Sequence, residues 1–100
     1  MKIWLDDIRP APDGWVWVKN YEEAIELICG PENFDEISLD HDLGDGPTGY
    51  NVVCCIEGLV GAGFWRKKIP VFHIHSANPV GRKNMQRAIE SIERIANEAQ

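Results

Sequence analysis

Four short β-prone runs in this chain stop abruptly, most of them at polar or acidic side chains, with helical patterns set between them. That alternation restricts the fold more than any other feature. Lys2-Ile3-Trp4-Leu5 ends at the adjacent carboxylates Asp6 and Asp7. Trp15-Val16-Trp17-Val18 follows a segment, Arg9 to Gly14, whose prolines and Asp-Gly pair forbid a helix. Glu36-Ile37-Ser38-Leu39 runs into Asp40-His41-Asp42, and Pro70 to His75 closes at Ser76-Ala77-Asn78-Pro79. Asn20, with Glu23 three residues later, predicts a capped helix over Tyr21–Cys29. Thr48 predicts the start of a second helix, with Val52, Val53, Ile56, Leu59 and Val60 on its buried side and an end near Gly61–Gly63. Met85, Ala88, Ile89, Ile92, Ile95 and Ala96 share one stripe of a third.

Strands separated by helices imply parallel crossovers, and right-handed ones place the first two helices on one face of the sheet. The last helix has no strand after it, so the expectation is that it crosses to cover the opposite face. The link between the first two strands is shorter than the dozen or so residues a parallel crossover usually takes. The second strand is therefore either antiparallel or reached by an extended return of the Pro-rich segment. A chain of 100 residues with 44% hydrophobic residues and four tryptophans has the bulk for one core, so residues 1–100 are read as a single domain.

A net charge of −6 argues against a general grip on duplex DNA, although Arg66, Lys67, Lys68, Arg82, Lys83 and Arg87 gather in the second half. Three cysteines, two of them adjacent, make no disulfide framework and point to a reducing, cytoplasmic setting. No stretch approaches the roughly 20 apolar residues of a membrane helix. The edge run Trp15-Val16-Trp17, or a sheet face left bare, would favour a homodimer.

Ligands of open parallel sheets sit outside the carboxyl ends of the strands, so the residues that end each strand carry the chemistry. Here these are Asp6 and Asp7, Asp40 and Asp42, and His75 with Ser76. Carboxylates held close together stay ionised only when a cation or strong donors compensate them. Oxygen-only ligation by Asp6, Asp7, Asp40 and Asp42 favours a hard ion, Mg²⁺ first and Mn²⁺ as its substitute, which would accept a phosphate oxygen as a further ligand. Asn78 as N-cap and Pro79 at the first helical position put a helix start beside this acid, with Arg82 and Asn84 in its first turn, as a seat for an anion. His75 and His41 are candidate acid–base groups near neutral pH, and His73, mid-strand, reads as a hydrogen-bonded core histidine.

Trp4-Leu5-Asp6-Asp7 resembles the acidic pair after the first strand of response-regulator receiver domains, and Val18 to Ala24 is similar to their second strand and helix. Leu39 to Gly44, followed by Thr48-Gly49-Tyr50, resembles the phosphoacceptor strand. The resemblance makes Asp40 the counterpart of the phosphorylated aspartate, the Asp42 carbonyl a metal ligand, and Ser76-Ala77 the Ser/Thr-Ala pair that binds the phosphoryl group. Two features depart from that pattern: no helix separates the first two strands, and no fifth strand carries the receiver lysine. Asp40 to Gly44, together with His75 to Arg82, looks more like the cyclic-phosphate processing receiver domain, a compact offshoot of the receivers.

That resemblance implies a small flavodoxin- or receiver-like α/β sheet of about four mostly parallel strands, in the order 2-1-3-4, with three helices. It also implies action on a cyclic phosphate, either a cyclic nucleotide or an RNA end. The expected function is a metal-dependent phosphoesterase, with Asp40, His41, His75 and Ser76 at the chemistry and Ser76, Asn78, Arg82 and Asn84 holding the phosphate. The alternatives are a receiver that signals through phosphorylated Asp40, and a degenerate receiver that only binds phosphate or nucleotide.

Overall fold

The structure, a computed structural model, describes residues 1–98. Strand β1 (Lys2–Leu5) is followed directly by β2 (Val16–Val18), helix α1 (Tyr21–Ile28) leads to β3 (Glu36–Leu39), helix α2 (Gly49–Gly61) to β4 (Val71–Ile74), and α3 (Pro79–Glu98) follows β4. All pairings are parallel, in the order β2-β1-β3-β4. The open question about β2 is thus resolved. The Pro-rich segment returns as extended chain and β2 lies parallel to β1, with Ile3 opposite Val16 and Leu5 opposite Val18.

Local chemistry sets the helix boundaries. The Asn20 side chain accepts the Glu23 N–H at 2.9 Å and donates to the Glu23 carboxylate, so both members of the capping pair are used. At α2 the Asn51 side chain accepts the Thr48 N–H at 2.8 Å. Gly49 is needed where α2 leaves the β3 loop, because a Cβ there would lie 1.9 Å from the Asp40 carbonyl oxygen.

Register and the period of two sort the strand residues onto two faces. Ile3, Leu5, Val18, Ile37 and Leu39 are buried together with Ala24 and Ile28 of α1, Val52, Val53 and Ile56 of α2, and Met85, Ala88, Ile89 and Ile92 of α3. Three helices therefore share one face of the sheet. α3 lies along α2 and does not cross to the opposite face, which corrects the expectation above. The physical reason is visible in the residues of that face. Lys2 and His73 both reach the Glu36 carboxylate, Lys2 Nζ as an ion pair at 3.3 Å and His73 Nε2 as a hydrogen bond at 2.7 Å. Beside them, Trp4 and Trp15 meet edge to face. A face finished with charges and amphipathic rings can remain wet, whereas the Met85–Ile92 stripe cannot. His73 is accordingly exposed, not a core residue.

Two of the basic residues near the start of β4 serve the fold. Lys67 donates to the Ile28 carbonyl at the end of α1 and covers Phe34, and Lys68 pairs with Asp35 at 2.6 Å. No described helix is long and apolar enough to cross a membrane.

Candidate functional site

Parallel pairing brings the ends of β1, β3 and β4 to one rim, and the ladder continues one residue past each strand. The Asp6 N–H donates to Val18 O, the Asp40 N–H to Leu5 O and the His75 N–H to Leu39 O, at 3.0–3.1 Å. Alternation then carries the row Trp4, Ser38, His73 onward to Asp6, Asp40 and His75, which stand side by side. Asp6 and Asp40 are buried, as is Ser38 beneath His75. Asp7 reaches the same place from the loop, its Oδ2 lying 3.6 Å from where a Gly44 Cβ would stand. One oxygen from each of Asp6, Asp7 and Asp40 lies within 4.8 Å of the others.

The buried carboxylate of Asp6 is fully engaged. Its Oδ1 accepts the backbone N–H groups of Ile8 (2.9 Å) and Arg9 (2.8 Å), and its Oδ2 accepts Arg9 Nε (2.9 Å) and His75 Nε2 (3.1 Å). Burial resists ionisation of Asp6, but the two backbone donors, the Arg9 charge and the His75 bond outweigh it and hold the carboxyl below its ordinary range. An ionised carboxylate can only accept, so the His75 proton sits on Nε2, and Nδ1 accepts the Ser38 hydroxyl at 2.7 Å. Burial pushes His75 down from the usual imidazole range despite the pull of Asp6, leaving it neutral at pH 7. Trp4 lies flat against the same ring, with centroids 3.9 Å apart and planes 3° from parallel.

Sequence reasoning passed over Arg9. Its guanidinium bridges the rim, with Nε on Asp6, one terminal nitrogen 3.6 Å from Asp40 Oδ2, and a hydrogen bond at 3.2 Å to the His75 carbonyl. The signal that could have found it is its place three residues after Asp6, in a turn too short to carry its side chain elsewhere. Ser38, two residues before Asp40 on the same face, was missed for want of a pairing register.

The remaining expected site residues separate into two groups. Ser76 is buried near the rim, where its Oγ accepts the Asn78 N–H at 3.1 Å and its own proton remains free to donate. Asn78 caps α3 by accepting the Gly81 N–H at 2.9 Å. Pro79 has no N–H and that of Gly81 is taken, so the anion seat at the start of α3 offers fewer donors than the sequence implies. Asp42 stands outside the three-carboxylate cluster and accepts from the His41 ring at 3.0 Å and from Asn78. His41 packs on α3, with its ring 2.4 Å from where a Gly81 Cβ would lie, while its N–H donates to Asp40 Oδ1 at 2.9 Å. Arg82 donates to the carbonyls of Ile74 and Ser76 and so closes the end of β4. Asn84 lines a cleft with Tyr50, Glu57 and Arg87, between α2 and α3.

An open parallel sheet with helices after its strands, and an acidic triad at the carboxyl rim, defines a receiver-like α/β domain. The chain belongs to the cyclic-phosphate processing receiver domain family, whose model matches residues 1–91. No curated protein and no solved structure matches it.

The donor set fits a hard divalent ion, because all three groups are carboxylates and Asp7 and Asp40 keep unshared acceptor positions. The fit at Asp6 has a condition: all four of its acceptor positions are filled, so a metal can reach it only when one donor withdraws.

Proposed function

We propose that this domain is a divalent-metal-dependent phosphoesterase acting on a cyclic phosphate, carried by a nucleotide or by an RNA end. The observation that carries the reading is the meeting of Asp6, Asp7 and Asp40 at the carboxyl rim of a parallel sheet, in a chain of the cyclic-phosphate processing family. Mg²⁺ held by these carboxylates would supply Lewis acidity toward a phosphate oxygen, and Mn²⁺ would substitute for it. The Ser76 hydroxyl donates to a phosphate oxygen. Asp40 takes a proton from a water whose oxygen bonds to phosphorus as one ring P–O ester bond breaks, the released oxygen becoming a hydroxyl as it takes up a proton. In the other route Asp40 itself displaces that ester oxygen and water then hydrolyses the acyl phosphate. His75, neutral and bound on both nitrogens, holds Asp6 in orientation. Asn78 and Arg82 order the loop that carries Ser76, and His41 orders the backbone beside Asp40.

A small phosphate ligand or RNA end is the partner this chemistry requires. A cytoplasmic location with free Mg²⁺ suits it, and a homodimer would leave the rim open if it formed across the ion-paired sheet face. The test is a thermal-shift series with Mg²⁺, Mn²⁺ and Ca²⁺ on wild type and Asp40→Asn, followed by a turnover screen of cyclic nucleotides and RNA 2′,3′-cyclic ends. A ligand at 100 times its dissociation constant stabilises by about 2.7 kcal/mol, a shift of several degrees for a domain of this size. A metal shift unchanged in Asp40→Asn sinks the reading. Metal-dependent beryllofluoride binding without turnover would favour the phosphoacceptor alternative.

A further inference from the structure

We propose that Arg9 is the phosphate-binding cation of this site, and that a divalent ion frees it for that role by displacing it from Asp6; the inference rests on the phosphoesterase reading above. The first support is the filled acceptor set of Asp6. Two of its four donors are backbone N–H groups fixed by the Asp6–Arg9 turn, and a third is the Nε2–H of His75, locked by Ser38 on one side and Trp4 on its face. The fourth, Arg9 Nε, belongs to a long side chain that is 55% exposed, beside a carboxylate that is 1% exposed. It is the donor that can leave at least cost.

The second support is charge. Three carboxylates and one divalent ion leave a single net negative charge, which opposes the approach of any phosphate. One further cation cancels it. Among the described residues, Arg9 is the lysine or arginine within ion-pair reach of Asp6 or Asp40. Arg82 cannot be recruited without surrendering the Ile74 and Ser76 carbonyls it closes. Geometry completes the case. The guanidinium is already anchored by the His75 carbonyl at 3.2 Å, so release of Nε from Asp6 swings the group about that anchor and turns two N–H donors outward, a fork that matches two phosphate oxygens.

The proposal separates two affinities that a purely structural arginine would move together. Calorimetric titration of wild type, Arg9→Ala, Arg9→Gln and Arg9→Lys with Mg²⁺, and then with inorganic phosphate at saturating Mg²⁺, reads both. Arg9→Ala and Arg9→Gln are expected to bind Mg²⁺ at least as tightly as wild type, since the competitor is gone, and to lose phosphate affinity by tenfold or more, the worth of a charge-assisted contact. Arg9→Lys should recover part of the phosphate affinity. In a ¹⁵N-correlated spectrum of wild type, the Arg9 Nε–H signal should move on Mg²⁺ addition and again on phosphate addition. Weaker Mg²⁺ binding in Arg9→Ala, or phosphate affinity equal to wild type, overturns the inference while leaving the metal site standing. Failure of wild type to bind Mg²⁺ at all overturns both readings. Should Arg9→Ala lose its folded spectrum, the Nε–H signal of wild type decides, and no movement with Mg²⁺ refutes displacement.

Discussion

Gly81→Ala is expected to destabilise the protein in the presence of His41 and to stabilise it in its absence. An alanine Cβ at position 81 would stand 2.4 Å from His41 Cγ, 2.5 Å from Cδ2 and 2.9 Å from Cβ. Carbon atoms prefer about 3.5–4.0 Å, so the ring must retreat by about an ångström. It is poorly placed to do so. Its Nδ1 is bonded to Asp42, and its backbone N–H holds Asp40 Oδ1. Overpacking of this kind costs about 1–3 kcal/mol, against a helix-propensity gain of at most about 1 kcal/mol for replacing glycine in the first turn of α3. The net expectation is a loss of about 1–2 kcal/mol. In a His41→Gly background all three contacts vanish and only the propensity gain remains. Urea unfolding of wild type, both single variants and the double variant gives the coupling energy, expected at about 1–3 kcal/mol. Additivity within about 0.5 kcal/mol, or a stabilised Gly81→Ala single variant, would refute the reasoning. The same contact matters to the rim, because movement of His41 drags the N–H that steadies Asp40.

Three further outcomes are expected. Gly49→Ala should cost about 3 kcal/mol or more in the same assay, since its Cβ would meet the Asp40 carbonyl, a backbone atom that cannot rotate away; a loss under about 1 kcal/mol would show that the loop yields. Phe34→Ala, which empties a buried site against Trp65, should lose about 3–5 kcal/mol without altering Mg²⁺ affinity, and an altered affinity would tie the far end of the sheet to the rim. Asp35, hydrogen-bonded and paired to Lys68 and to the Met1 amino group, has its carboxyl lowered from 3.8 to about 2. Because the folded value is the lower one, its stabilisation is present above pH 3.8 and disappears as the pH falls toward 2. The fall in urea midpoint across that window should be shallower in Asp35→Asn than in wild type, and equal slopes would dismiss the ion pairs.

Most of the fold was legible because each signal was local. Asn20 with Glu23, the run Gly44 to Pro47, and the α3 stripe fix their elements whatever surrounds them. The convergence of Asp6, Asp7 and Asp40 followed from a general property of parallel sheets, that their carboxyl ends share a rim, whereas the strand order came only from the resemblance to the receiver offshoot. What stayed hidden depended on pairing. The placement of α3 turned on which residues of β1, β3 and β4 face the same way, and that Lys2, Glu36 and His73 share one face is seen only once the register is known. Arg9 escaped for a related reason. An arginine in a Pro-rich loop carries no periodicity, and its reach to Asp40 and the His75 carbonyl spans strands far apart in sequence. Asp42 was grouped with Asp40 as a metal ligand and His41 was taken as an acid–base candidate, but β3 ends at Leu39, and past that point alternation no longer says where a side chain goes.

The flat contact of Trp4 on His75 gives the domain a built-in optical gauge. Indole emission is quenched by a stacked imidazolium and far less by a neutral imidazole, so the brightness of this one tryptophan follows the electronic state of a ring bonded directly to Asp6. Any change in the protonation of this ring would therefore register in tryptophan emission without a label, and replacing Trp15 and Trp17 by phenylalanine would leave that signal against the single background of Trp65.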